Sequence, residues 1–163
     1  MFVCHPLSRE HELESFSCGK EELDTWLRTS ALHARANNTA ATFVWCEEGS
    51  REVAAYYSFT STTLAREELP KNLARGSMHT IPAVLLARLA LDTRYQGQGL
   101  GPVLLVDSFE RALAGNEIFA VRFFVVDALD DDAHTFYEKH GFRGIPGSMR
   151  LYRKMSDIAK TLA

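Results

Sequence analysis

Arg88-Leu89-Ala90-Leu91-Asp92-Thr93-Arg94-Tyr95-Gln96-Gly97-Gln98-Gly99-Leu100-Gly101 is an apolar run that breaks into a glycine-rich turn. Directly beyond it, Val103, Leu105, Val106, Phe109, Ala112 and Leu113 recur at helical intervals. The pattern predicts strand, tight turn and helix, a junction suited to an anion. Glycines let the backbone approach a ligand closely, and the unpaired amides at a helix start attract negative charge. Pro102 suits the first helical turn, where an amide hydrogen has no intrahelical partner. The turn is neither a Walker A loop, since Gly-Lys-Ser/Thr is absent, nor the dinucleotide fingerprint, whose third glycine would fall at Pro102.

Working outward, residues 84–91 are apolar apart from Arg88, which predicts a central strand buried on both faces. Residues 20–35 carry Leu23, Trp26, Leu27, Ala31 and Ala34 at helical spacing, and Arg28, His33 and Arg35 lie off that stripe. Residues 2–7 suggest a short first strand, and residues 42–46 and 53–62 a hairpin. Between 63 and 81 the pattern loosens into a short helix and loop, a candidate lining for an acceptor site. Residues 119–126 read as a strongly apolar strand. Asp130 to Asp132 supply caps for a helix that Gly141 ends, and residues 149–155 read as a last strand or pair before a short or frayed helical tail.

The chain has 163 residues, 46% hydrophobic and 24% charged, enough for one well-buried core and short for two. A single domain over 1–163 is expected. A net charge of −3 excludes nucleic-acid binding by bulk charge alone, although thirteen arginines against five lysines leave room for local phosphate contacts. Cys4, Cys18 and Cys46 lack the spacing of a disulfide framework or zinc site, so the expectation is reduced thiols, no metal, no membrane span and a cytoplasmic location.

Two motifs in order raise the reading above a generic cradle. Gln96-Gly97-Gln98-Gly99-Leu100-Gly101 follows one apolar strand, and Ala133-His134-Thr135-Phe136-Tyr137-Glu138-Lys139-His140-Gly141-Phe142 follows the next. Together they resemble the GNAT N-acetyltransferases, whose pyrophosphate loop Gln/Arg-x-x-Gly-x-Gly/Ala falls here on Gln96, Gly99 and Gly101. The resemblance implies an α/β (α+β) GNAT fold: a mixed sheet of six or seven strands, splayed between the fourth and fifth, with about four helices and acetyl-CoA in the gap. A narrower resemblance, to the acetyltransferase toxins of type II toxin–antitoxin modules, rests on Phe16-x-Cys18-Gly19-x-x-x-Leu23-Asp24-x-Trp26-Leu27, Tyr56-Tyr57, Arg88 to Asp92 and Val126-Asp127-Ala128. It implies acetylation of the amino group of aminoacyl-tRNA, a block to translation and a ribbon-helix-helix antitoxin as partner. A homodimer is left open. The alternatives are a GNAT enzyme acting on a small-molecule amine or a protein amino group, and a CoA-binding module without catalysis.

Acyl transfer needs a neutral amine, donors for the developing oxyanion and a proton for the departing thiolate. By the resemblance, the amides of Gln98 to Gly101 hold the pyrophosphate and the backbone of Leu89, Ala90 and Leu91 pairs with the pantetheine. Tyr137 is the expected general acid, since a phenol stays protonated near neutrality. Phe136 beside it reads as a core aromatic and is also counted against the cofactor. For the acceptor, Arg88, Arg28 and Arg35 are the candidate contacts. A charge in an apolar strand needs a partner, so Arg88 either meets an anionic ligand or pairs internally with Asp92 or Asp127.

Overall fold

Strands form where β-branched and aromatic residues run together, and the glycine and asparagine turns set their limits. A computed structural model describes residues 1–163. The elements follow in the order β1 (Phe2–Pro6), α1 (Glu21–Thr29), α2 (Ala31–Ala36), β2 (Ala41–Glu47), β3 (Ala55–Ala65), α3 (Lys71–Ala74), β4 (Thr80–Leu91), α4 (Leu100–Asn116), β5 (Phe123–Asp127), α5 (Asp131–Lys139), β6 (Arg143–Gly144), β7 (Arg150–Lys154) and α6 (Met155–Leu162). One seven-stranded sheet has the order β1-β2-β3-β4-β5-β7-β6. Its β1/β2, β2/β3, β5/β7 and β6/β7 pairs are antiparallel, and β4/β5 is parallel. The parallel register joins Ala83–Leu86 to Phe123–Val126, and β4 runs on to Leu91. The sheet is thus the mixed one expected, and the helices beyond about four are the short α2 and α3.

Contacts divide the chain into two compact units. The first comprises Met1–Thr60 and Ala87–Ser108. Its core gathers Phe16, Leu27, Val44, Val53, Tyr56 and Ala90, with Trp26 packed at the margin. The second comprises Ser61–Leu86 and Phe109–Ala163. There Leu64, Ile81, Phe123, Val125 and Tyr152 form the core. Burying each of the valine, leucine, isoleucine and phenylalanine side chains among them contributes about 1.5–3 kcal/mol, which fixes the strand faces.

Several boundaries differ from the expectation for physical reasons. The helix expected over 20–35 breaks at Ser30, whose backbone leaves helical geometry. Just before the break, the Thr29 hydroxyl donates to the Thr25 carbonyl at 2.7 Å, the back-bonding that bends helices. Strand β5 starts at Phe123 rather than 119, because Ile118 and Phe119 are exposed in a turn where Asn116 Oδ1 accepts from the Val121 amide. Strand β4 is not buried on both faces. Ile81, Ala83, Leu86 and Ala90 are buried, whereas Val84, Leu85, Ala87, Leu89 and Leu91 are half-buried. The half-buried positions are apolar too, so the sequence showed no alternation.

Candidate active site

Gly97 and Gly99 have φ of +77° and +76°, a left-handed backbone that L side chains rarely adopt, and a Cβ at either would meet nothing within 4 Å. These glycines therefore serve conformation, not packing. They deliver the chain to α4, which opens on Leu100, Gly101 and Pro102 with its first amides free of intrahelical partners. A loop of this shape at a 17-residue helix fits a pyrophosphate. Gln98 is exposed, and its side chain donates to the Arg94 carbonyl. Leading into the loop, Leu89 and Leu91 are half-buried and Ala90 is buried.

Gln96 is exposed, but its side chain folds back onto the chain: its Nε2 donates to the Leu91 carbonyl at 2.7 Å and the Cys18 carbonyl at 2.9 Å. Asp92, 1% exposed, directly follows β4. Its carboxylate accepts from the amides of Ser17 and Arg94 and from the Arg94 guanidinium. Burial pushes the Asp92 carboxyl up, but these hydrogen bonds outweigh it and hold its pKa below the ordinary value.

Arg88 has no internal ion pair. Asp92 is taken by Arg94, and Asp127 is held by Arg150 through a two-point contact of 2.8 and 3.0 Å. Instead the Arg88 guanidinium lies over the Trp26 ring, 3.7 Å from its centroid. Burial lowers its pKa, and no protein acceptor compensates its N–H groups. A half-buried cation on an aromatic face with unused donors is suited to an anionic ligand. Of the other two candidates, Arg28 is exposed and donates to the Phe16 carbonyl at 3.3 Å, and Arg35 is exposed on α2. The three arginines therefore have distinct surroundings. Trp26, read from the sequence as an apolar stripe residue, proves to be the platform for Arg88. No local signal could reveal a partner 62 positions away, whereas Asp92 and Arg94 stand two apart and their pairing was open to reading.

In the second unit, Asp130 caps α5 by accepting from the Ala133 amide at 2.9 Å. Tyr137 is the buried residue of that helix. Its ring meets Phe136 at 5.3 Å and Phe142 at 5.5 Å. Its hydroxyl makes no hydrogen bond within the protein. Burial pushes its pKa up, which keeps the phenol protonated. Phe136 is half-buried rather than core, against His140 at 4.6 Å. The same unit has a groove of about 760 Å³ whose charged lining is Arg66, Glu67, Lys71 and Arg75, in the irregular stretch expected to line an acceptor site.

Residues 39–144 match the family model described as an acetyltransferase (GNAT) domain. A Mycobacterium tuberculosis protein described as a tRNA-acetylating toxin is 34% identical over 140 residues, 86% of this chain and 83% of its own. The chain belongs to the GNAT acetyltransferases. This GNAT chain is an N-acetyltransferase that uses acetyl-CoA as donor. A Sinorhizobium fredii protein described as a probable TacT toxin is 23% identical over 96% of this chain and 92% of its own. Among solved structures, AtaT complexed with acetyl-methionyl-tRNAfMet is 26% identical, covers all of both chains and superposes with a TM-score of 0.91. AtaTR bound with acetyl-CoA is also 26% identical, with 99% and 98% covered and a TM-score of 0.86. No helix is long and apolar enough to cross a membrane.

Proposed function

We propose that this GNAT enzyme, acting as one domain, acetylates the amino group of aminoacyl-tRNA, and that it is the cytoplasmic toxin of a toxin–antitoxin module. The observation that carries the choice of acceptor is Arg88, a half-buried cation stacked on Trp26 without an anionic partner. A phosphate of the acceptor end satisfies it, where a small uncharged amine would leave its donors unused. Two relatives support the reading, one described as a tRNA-acetylating toxin and one, AtaT, seen with acetyl-methionyl-tRNAfMet. The exposed Arg28 and Arg35 add charge on α1 and α2 of the same unit as Arg88. Structures of AtaT with its antitoxin make a cognate antitoxin the expected partner.

Acetyl-CoA supplies an activated acetyl group and a thiol leaving group. The backbone of Gly97 to Gly101 and the start of α4 bind its phosphates, and Leu89 to Leu91 present a half-buried apolar edge to the rest. Tyr137 serves as general acid, because its hydroxyl has no hydrogen-bond partner in the protein and is held protonated by burial. No side chain is required as base. An α-amine titrates near ~7.7–8.0, and esterification of the neighbouring carboxyl lowers that, so a neutral fraction exists at pH 7.

The test is incubation of wild type and Tyr137→Phe with acetyl-CoA and charged tRNA, followed by mass spectrometry of the aminoacyl adenosine, with growth of inducing cells in parallel. Acetylated product and growth arrest are expected from wild type, with the rate lowered about 10²- to 10⁴-fold in the variant. Unmodified charged tRNA beside acetylation of a small amine or a protein amino group would overturn the choice of acceptor and leave the transferase intact.

A further inference from the structure

In the segment Phe16 to Cys18, which precedes α1, all three carbonyls and all three amides are hydrogen-bonded, the Phe16 amide to the Leu13 carbonyl and the rest to groups elsewhere in the first unit. Ser17 is held on both sides by the end of β4 and the turn after it: its amide donates to Asp92 Oδ2 at 3.1 Å, and its carbonyl accepts from the Thr93 amide at 2.8 Å. Cys18 is held between loop and helix: its amide donates to Asp24 Oδ1 of α1 at 2.9 Å, and its carbonyl accepts from Gln96 Nε2. Arg28 of α1 closes the start of the segment at the Phe16 carbonyl. Gly19 follows with φ of +91°, which turns the chain into the helix.

A glutamine amide has two N–H donors. In Gln96 one is spent on the Cys18 carbonyl and the other on the Leu91 carbonyl, so neither remains for a phosphate, and the acceptor Oε1 would repel one. The peptide between Leu91 and Asp92 is held from the other side as well, because the Asp92 amide donates to the Ala54 carbonyl at 2.9 Å. Gln96 thereby clamps the end of β4 and, through Cys18, the helix that carries Trp26 beneath Arg88.

We propose that Gln96 is a positioning residue rather than a phosphate ligand: it fixes the last peptide of β4 and, through the Phe16–Cys18 strut, the distance from the donor loop to α1. This rests on Gly97 to Gly101 being the donor loop. Losing both donors lets the end of β4 and α1 drift, and misplacement of reacting groups by about an ångström costs up to about 100-fold in rate.

The experiment compares acetyl-CoA with S-acetylpantetheine, a donor that has the thioester but no pyrophosphate or nucleotide. Wild type, Gln96→Met, Gln96→Glu and Gln96→Arg are assayed with each donor on the same charged tRNA, and rates are taken per folded molecule from melting curves. Positioning predicts that Met and Glu lose about 10- to 100-fold in kcat/KM with both donors alike, and that Arg, which restores N–H donors, recovers most of the loss. Met and Glu match glutamine in length, so if one does not fold the other carries the comparison. A loss confined to acetyl-CoA identifies a phosphate ligand and overturns the proposal. So does an unchanged kcat/KM with lowered melting temperature, which identifies a purely structural brace. Calorimetry of acetyl-CoA on wild type separates the premise, because absent binding refutes the donor loop itself.

Discussion

At the scale of single residues, charge and proton placement decide the chemistry. Arg88→Leu removes a cation whose donors the protein does not use, so stability should change little. KM for charged tRNA should rise about tenfold, as expected for one charge-assisted contact. The logarithmic salt dependence of tRNA affinity should flatten by about one unit. Filter binding across a salt series measures both, and an unchanged salt slope would remove Arg88 from the phosphate contacts. The sequence made this residue legible as an anomaly, since an arginine in an apolar strand demands a partner. It did not reveal the partner, because stacking on Trp26 depends on tertiary approach, and the carboxylates nearest in sequence pattern are claimed by Arg94 and Arg150.

At the scale of elements, the loop before α4 is controlled by backbone conformation. Gly99→Ala places a Cβ in open space, so its cost is the left-handed backbone itself, about 1–2 kcal/mol. Relief of that strain moves the amides that face the ligand. Acetyl-CoA affinity should therefore fall at least about tenfold, which isothermal calorimetry can read directly. The strand–turn–helix order around this loop was legible because glycine spacing and apolar periodicity are local signals. The break at Ser30 was not, because Ser30 continues the helical spacing of the apolar positions on either side of it, and the bend shows only in its own backbone and in the Thr29 hydroxyl bond. Nor could the five ties that hold Phe16 to Cys18 against α1 and the turn after β4 be read from the motif that contains them. Three of their partners lie about 75 positions downstream or act through backbone groups that any residue would present.

For the molecule as a whole, the groups that resist ionisation point the same way. Burial pushes the Cys18 thiol up to about 11, with Asp24 adding to the effect, and raises Tyr56 and Tyr137 as well. A group with a raised folded pKa keeps its proton in the native state after the unfolded chain has released it. Stability from Cys18 is thus complete below pH 9 and declines as pH rises toward 11, by about 2–3 kcal/mol in all. Urea unfolding at a series of pH values should show this slope, and Cys18→Ala should remove its portion. A slope identical in the variant would show that Cys18 is not its source. Asp92 acts on the opposite side: its lowered pKa supports the fold fully above the ordinary carboxylate value, and that support is lost as pH falls below it through the lowered value.

The register of β4 has a consequence for how such chains can diverge. Leu86 is pinned opposite Val126, and the glycine turn begins eleven residues later at Gly97, with Arg88 and the Leu91 carbonyl at fixed steps between. Adding or deleting one residue between Leu86 and Arg88 would reverse the faces of the strand residues that follow and move Arg88 off Trp26, and a change between Leu91 and Gln96 would move the Leu91 carbonyl off the Gln96 amide. In a deep library of single-codon insertions and deletions, this interval should stand out as a sharp gap, while the exposed turn at Ile118 and Phe119 accepts changes of length.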